Sequence, residues 1–347
     1  MDLTPPALES ATALDAQFYT RDDLYRFELN AIFGSGWQLL GNSQQFVGTG
    51  DVAVHDVGGV PILLVRAEQG EIRGFLNICP HRAGPLATCD MTSQKRYRCA
   101  YHGWIYDLSG QLISAREMED AAGFDVGSVR LTPIEVKEWH GLVFARLRPG
   151  HAFEEVYENI GSIVGEGAFV GLEHHTSLVY DVAANWKVYV DNYLEGYHLP
   201  LVHPGLTQLV DYADYTTELG RWWSLQRSPV EESGPYGGGE GHYFFVYPNI
   251  MLNFMPGRIQ TNRVVPTGLA TCKVEFDFYY APGAETRARD DLAFSDQVQE
   301  EDRLICEHVQ RGLASGAYKA GRLSPKRESG VWHWQNLLRS DYQSFVS

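Results

Sequence analysis

No stretch of the 347-residue chain approaches the roughly 18 consecutive apolar residues of a membrane-spanning helix. The opening MDLTPPALESATALDAQFY lacks the basic start and apolar core of a secretory leader, so a cytoplasmic location is expected. Basic residues are scarce. The 28 lysines and arginines face 44 aspartates and glutamates, a net charge of −16 that argues against a nucleic-acid partner. Cysteine is sparse and odd in number, five in all; without a leader this fits a reducing compartment, where grouped cysteines bind metal more often than they pair. No repeat period, low-complexity tract or nicotinamide fingerprint stands out. The segment GEGAFVG (165–171) lacks the buried strand before it and the helix after it that a dinucleotide loop needs. Reducing equivalents for any redox chemistry must then come from a partner protein.

What is present falls into two patterns. Length alone, at about 150 residues per domain, suggests two domains. From Gly36 to about Leu147, short β-rich runs are cut by glycine and aspartate: VAVHDVG (52–58), VPILLVRA (60–67), IRGFLNIC (72–79), GWIYDLSG (103–110) and GLVFARL (141–147). This spacing predicts a small antiparallel barrel or sandwich. Amphipathic helices are expected on either side, over 22–33 and, behind Pro149-Gly150, over 153–165. Farther on, 182–198 passes from strand-like to helix-like patterning, 242–280 carries three strand-like runs, and 295–316 reads as the longest helix. Strands followed by a long helix predict an α+β layer structure, so an all-β module sits within or ahead of an α+β domain.

The strongest signal is Cys79-Pro80-His81, followed after 17 residues by Cys99-Ala100-Tyr101-His102. Tetrahedral zinc takes mixed ligands, but its usual spacing sets the cysteines together and the histidines together. Here each loop carries one of each. That suits a [2Fe–2S] cluster with two thiolates on one iron and two imidazoles on the other, which raises its potential above that of an all-cysteine cluster. Gly84 and Gly103 would let backbone N–H groups approach the sulfurs, and Pro80 and Pro85 would stiffen the loops. Cys89 is expected to be a small buried filler rather than a ligand.

A second constellation lies in Asp191-Asn-Tyr-Leu-Glu195-Gly-Tyr-His198-Leu-Pro-Leu-Val-His203. Asp191, Glu195 and His198 fall at i, i+4 and i+7 and would share one face of a helix. His198 and His203 would lie about 140° apart on a continuous helix, so Pro200 is expected to break it and let His203 swing back. Two histidines and one carboxylate with open positions make a non-heme iron site. Glu300, Glu301 and Asp302 can supply the acid. Asp302 shares the expected apolar stripe of Val298, Ile305, Cys306 and Val309, where an unpaired carboxylate is costly, so it is preferred to Glu301. The plain alternative is a solvated acidic cluster near a helix start.

CPHRAGPLATC and CAYHGWIYDLSG resemble the Rieske motif. They lack the extra cysteine pair of the quinol-oxidising Rieske proteins, which points to the oxygenase or ferredoxin branch. NWKVYVDNYLEGYHLPLVHPGL (185–206), YPNIMLNFMPGRIQTNRVVP (247–266) and SDQVQEEDRLICEHVQRGLASGAYKAGR (295–322) look like the catalytic domain of Rieske oxygenase α subunits, the aromatic ring-hydroxylating family. The resemblance is greatest to the choline and glycine betaine monooxygenase branch. It implies a Rieske domain over 36–150 and a helix-grip (START-like) α+β catalytic domain over 151–347, to which 1–35 adds a helical part. It implies a [2Fe–2S] cluster on Cys79, His81, Cys99 and His102, and a mononuclear Fe(II) on His198, His203 and Asp302. Glu195 would link this iron to a Rieske histidine of the neighbouring subunit in a homotrimer.

The implied activity is mono- or dioxygenation of a small organic substrate, with O2 and electrons from a separate NAD(P)H-dependent reductase, with or without a ferredoxin. Hydroxylation or N-demethylation of a quaternary ammonium compound such as choline or a betaine would call for aromatic faces around the cation. Trp222, Trp223, Tyr243, Phe244, Phe245, Tyr247 and Phe254 lie in the right region. An aromatic acid, handled by a ring-hydroxylating dioxygenase, would instead be clamped by Arg258 or Arg263. Asp191 is expected to orient or gate the site, against the alternative of an ordinary helix acid. A non-catalytic Rieske electron carrier, or a ligand-binding helix-grip module whose iron site has decayed, would hold two irons per chain rather than three.

Overall fold

The computed structural model describes residues 2–207, 214–230 and 238–346. The chain divides into two compact units, Leu29–His151 and the pair of segments Met1–Glu28 and Ala152–Ser347. The first unit is all-β. A six-stranded antiparallel sheet has the order β1-β9-β8-β4-β3-β2, built from β1 (Gln38–Asn42), β2 (Val52–Val57), β3 (Val60–Arg66), β4 (Ile72–Leu76), β8 (Pro133–Trp139) and β9 (Leu142–Arg146). A smaller sheet joins β5 (Tyr97–Arg98), β6 (Ile105–Tyr106) and β7 (Leu112–Ser114). Ile62 to Val65 of β3 and Val143 to Ala145 of β9 are buried on both faces. One core cluster runs from Val52, Leu63 and Val65 through Phe75 to Cys79, Cys99, Trp104 and Tyr106, so the two cysteines are part of the packing.

The second unit opens with α1 (Gln17–Thr20) and α2 (Asp22–Phe27) and continues, after the first unit, with α3 (Phe153–Val156) and α4 (Ile160–Val164). The helix expected over 22–33 ends its regular part at Phe27 and passes into a wider π turn. The helix expected over 153–165 is two short ones, parted where Asn159 takes a positive φ of 63°. A seven-stranded antiparallel sheet follows, ordered β10-β16-β15-β14-β13-β12-β11. Its strands are β10 (Glu173–Val182), β11 (Thr216–Leu219), β12 (Trp223–Val230), β13 (Gly239–Val246), β14 (Ile250–Met255), β15 (Arg258–Gly268) and β16 (Thr271–Tyr280).

Helix α5 (Trp186–Tyr193), the short α6 (Leu199–Val202) and α7 (Pro204–Thr207), the long α8 (Ala288–Ala314) and α9 (Ser329–Val346) complete this unit. The α5 start is capped by Asn185, whose side chain accepts from the Lys187 N–H. The core pins α2 to α5 and α9 through a buried charge pair. Glu28 and Lys187 are both 0% exposed, with Nζ 2.6 Å from Oε1, and Trp186 and Tyr342 donate to the same carboxylate. Such a pair is tolerable in a dry core only because both oxygens of Glu28 are fully occupied. Trp186 and Trp334, both fully buried, meet edge-on at 5.8 Å. Among the described residues no helix is long and apolar enough to cross a membrane.

Candidate metal centres

In the all-β unit, the loops after β4 and β5 bring Cys79, His81, Cys99 and His102 together. Cys79 and Cys99 are 1% and 3% exposed, and the two imidazoles lie 4.5 Å apart, His81 stacked on Trp104. The Nδ1 atoms of His81 and His102 are buried without a hydrogen-bond partner. A buried polar atom left alone is costly, so these two lone pairs call for a ligand. Tyr106 lies with its hydroxyl 3.1 Å from Cys79 Sγ. The Ala83 and Gly103 N–H groups donate to the carbonyls of Cys79 and Cys99, closing tight turns round the sulfurs. Gly103 needs its positive φ of 73°, and a Cβ on Gly84 would stand 2.8 Å from Cys99 Sγ. Two buried thiols, two unpartnered imidazole nitrogens and loops with no room for a side chain fit a [2Fe–2S] cluster. Cys89, expected to be buried, is exposed, because it sits in the irregular segment beyond the packed Leu86-Ala87 pair.

The second centre sits where α5 and α6 meet α8. Ligand atoms of His198, His203 and Asp302 lie within 4.8 Å of one another. Asp302 Oδ1 is 2.9 Å from His203 Nε2 and 3.7 Å from His198 Nε2, spacings a first-row divalent ion can bridge with bonds of about 2.1 Å. Each histidine gives its other nitrogen to a carboxylate: His198 Nδ1 to Glu195 Oε1 at 2.7 Å, His203 Nδ1 to Glu301 Oε2 at 2.7 Å. A carboxylate only accepts, so both rings carry their proton on Nδ1 and aim the Nε2 lone pair at the centre. Asn192 Nδ2 donates to Asp302 Oδ1 at 2.6 Å. Burial pushes the His203 pKa down, but Asp302 and Glu301 on its two nitrogens outweigh this and raise it. A proton and a cation therefore compete for Nε2. The donor set is the two-histidine, one-carboxylate type.

The route to this geometry differs from the sequence expectation. Helix α5 stops at Tyr193, so Asp191, Glu195 and His198 do not share one helical face. Glu195 instead folds back over a loop, its Oε2 accepting from the N–H groups of Tyr197 and His198. Pro200 does not break a helix: it occupies the first turn of α6, where its missing N–H costs nothing, and His203 caps that turn. On α8 the stripe is also different. Val309 is 45% exposed, and the buried face reads Asp291, Ser295, Gln299, Asp302, Cys306 and Gln310. Glu301 and Asp302 are not rivals but bracket one imidazole, since neighbours on a helix fan about 100° apart. Asp191 lies half-buried between Tyr19, whose hydroxyl donates at 2.5 Å, and Gln335, at 2.8 Å. It lines a second, larger cavity shared with Glu195 and His198.

A cavity of about 130 Å³ opens on the triad, lined among others by Tyr189, Tyr193, Tyr215 and Tyr243. Of the aromatic residues expected there, only Tyr243 is on its wall; Phe244 and Phe245 are core, and Trp223 donates to the Glu158 carbonyl. The missed residues had a signal, since Tyr189, Asn192 and Tyr193 stand at i, i+3 and i+4 on α5. Burial holds Tyr189 and Tyr193 well above the usual phenol range, so both stay neutral. Tyr189 donates to Gln299, Tyr215 to Gln226, and Tyr193 to Asn253 at 2.5 Å.

Fold and donor sets together define a Rieske non-heme iron oxygenase. Residues 36–131 match the Rieske [2Fe-2S] domain and residues 169–344 the catalytic domain of the ring-hydroxylating alpha subunit. The chain is 36% identical to the chloroplastic choline monooxygenase of Arabidopsis thaliana, over 95% of this chain and 83% of the relative. It is 30% identical to the carnitine monooxygenase oxygenase subunit of Escherichia coli K12, over 95% and 94%. The solved structure of a quaternary ammonium Rieske monooxygenase, described for carnitine oxidation and inter-subunit electron transfer, superposes with a TM-score of 0.88 at 26% identity, covering 96% of each chain. The chain belongs to the Rieske oxygenase α-subunit family. It is an oxidoreductase acting on a small substrate with O2, and its cofactors are a Rieske [2Fe–2S] cluster and a mononuclear iron.

Proposed function

We propose that this chain is the oxygenase component of a quaternary ammonium monooxygenase, hydroxylating or N-demethylating a trimethylammonium compound. The observation that carries this reading is the tyrosine-lined cavity beside His198, His203 and Asp302. Neutral phenol rings present π faces to a cation that cannot donate a hydrogen bond. The volume, about 130 Å³, is small beside the 300–1,000 Å³ clefts that bury drug-sized ligands. The activities named for the plant and bacterial relatives point the same way. An aromatic-acid dioxygenase is disfavoured because both candidate clamps are engaged: Arg258 with Asp291, and Arg263 with Glu275.

Cys79, His81, Cys99 and His102 hold the cluster in a Rieske domain spanning 36–150, and His198, His203 and Asp302 hold the iron in a catalytic domain of 1–35 and 151–347. When bound, the cluster supplies single electrons and the iron the reductive activation of dioxygen. Glu195 and Glu301 fix the imidazole tautomers, and Asn192 steadies Asp302. Glu195, which accepts from His198 Nδ1, would also reach a cluster-binding histidine of a neighbouring copy in a homotrimer. Asp191 orients α5 through Tyr19 and Gln335. The chain works in the cytoplasm, with electrons from a separate NAD(P)H-dependent reductase, with or without a ferredoxin. An oxygen-uptake screen with a surrogate reductase should show turnover with choline, betaines or carnitine, with aldehyde or formaldehyde formed, and none with NADH alone. Uptake coupled to benzoate-type acids and indifferent to trimethylammonium compounds would refute the substrate class.

A further inference from the structure

One wall of the triad cavity is a polar ladder that the reaction scheme does not use. Arg258, Gln260 and Asn262 alternate along β15 and so point to one face, lining the cavity at 6%, 6% and 3% exposure. Arg258 is anchored by Asp291 on α8, and Tyr280 donates to that carboxylate at 2.5 Å. Its Nη2 donates to Gln260 Oε1 at 2.9 Å, and Gln260 Nε2 donates to Asn262 Oδ1 at 3.0 Å.

A guanidinium can only donate, so the oxygen of Gln260 must face Arg258 and its NH2 must face Asn262. Asn262 must in turn offer its oxygen to Gln260. The Asn262 NH2 group is thereby left as a donor on the cavity side. Charge chemistry sets this orientation, which a side-chain amide by itself would leave free.

The height of that donor follows from the register. Helix α8 runs alongside the sheet in the direction of β15. Asp291 meets Arg258, Asp296 meets Tyr180 of β10, and Glu307 meets the Ala183 N–H. Asn262 pairs with Phe276 and Phe276 with Leu178, two residues before Tyr180. By this register Asn262 stands below the level of Asp296, and Asn262 and Asp302 line one and the same cavity.

We propose that Asn262 is a specificity-determining residue: held by Gln260 and Arg258, it donates to the oxygen-bearing end of the substrate and favours a carboxylate over a hydroxyl. The inference rests on the quaternary ammonium reading and sharpens it to zwitterionic betaines. A carboxylate accepts only, and its charge strengthens the bond; an alcohol can bond either to a donor or to an acceptor. Gln260 and Arg258 are positioning residues, without contact to the substrate.

The test uses glycine betaine and choline, which share the trimethylammonium head, and calorimetric binding to the iron-loaded full-length protein. Gln260→Glu would accept from both Arg258 and Asn262, turning Asn262 over so that its oxygen faces the cavity. Wild type should bind betaine more tightly than choline, and Gln260→Glu should lower that preference by about tenfold, chiefly by weakening betaine. Asn262→Asp, which puts an acceptor directly at the position, should do the same, with melting curves confirming that both variants fold. Unchanged betaine-to-choline ratios in the two folded variants would overturn the ladder and leave the substrate class standing. Failure of wild type to bind either compound would overturn both.

Discussion

The two metal centres of this chain are built on opposite principles. The cluster site is made by backbone: two tight loops, one glycine at positive φ and another with no room for a Cβ, and two imidazole nitrogens buried with nothing to bond. The iron site is made by side chains. Both of its imidazoles are already oriented by carboxylates, and its aspartate is steadied by Asn192. The first is incomplete without its inorganic group; the second is a self-satisfied polar network that an ion enters by displacing a proton. The lesson is that damage should propagate differently at the two places: all-or-none at the cluster, graded at the iron.

The largest effect is therefore expected from a substitution that touches no ligand. Gly84→Val would place its Cβ 2.8 Å from both Cys99 Sγ and the Tyr101 Cβ. The loop must open, and overpacking of this kind costs about 1–3 kcal/mol before any loss of the cluster. The reduced protein should show no Rieske signal in electron paramagnetic resonance and no turnover; a full-strength signal would show that shape is not what holds the cluster. At the iron, Asp302→Ala should abolish oxygenation while leaving the cluster's visible spectrum intact. Glu301→Ala should be milder, lowering iron affinity or turnover by about 10- to 100-fold, the usual range for a group that orients a metal-binding histidine. If iron titration gave Glu301→Ala the same affinity as wild type, the graded picture would fail.

The same contrast decides what could be read from the sequence. The gathering of Cys79, His81, Cys99 and His102 was legible because loops encode their chemistry in contiguous motifs, and that of His198 and His203 for the same reason. The place of Asp302 on the buried face of α8 was legible from the cost of a carboxylate there. The second carboxylate on His203 was not, because Glu301 points about 100° away from Asp302 and reads as a competitor until a ring is seen between them. The end of α5 was misjudged because the run 186–198 has helical periodicity throughout. What interrupts it is a side-chain bond, Glu195 to the backbone of Tyr197 and His198, which pattern alone does not announce. Of the cavity tyrosines, Tyr189, Tyr193 and Tyr215 were missed for a related reason: the strands of 242–280 are richer in aromatics, yet apart from Tyr243 most of those turn into the sheet core.

Asp191 offers the smallest but cleanest test of the contrast, since it lies in the catalytic unit yet belongs to neither donor set. Burial raises its pKa to about 7, and the hydrogen bonds from Tyr19 and Gln335 and the charge of Lys187 only partly oppose this. A carboxyl whose folded pKa lies above its unfolded value binds its proton more tightly in the native state. Its contribution is thus complete below about pH 4 and is lost as the pH rises through 7. Asp191→Asn keeps an acceptor for Tyr19 and cannot ionise. The variant should therefore lose stability less than wild type between pH 5 and 8, with a melting temperature at pH 8 higher by on the order of 5 °C. Because Asp191 holds α5 rather than the ion, turnover at pH 6 should change by no more than a few fold. A collapse of iron binding in this variant would instead make Asp191 part of the graded network around the iron.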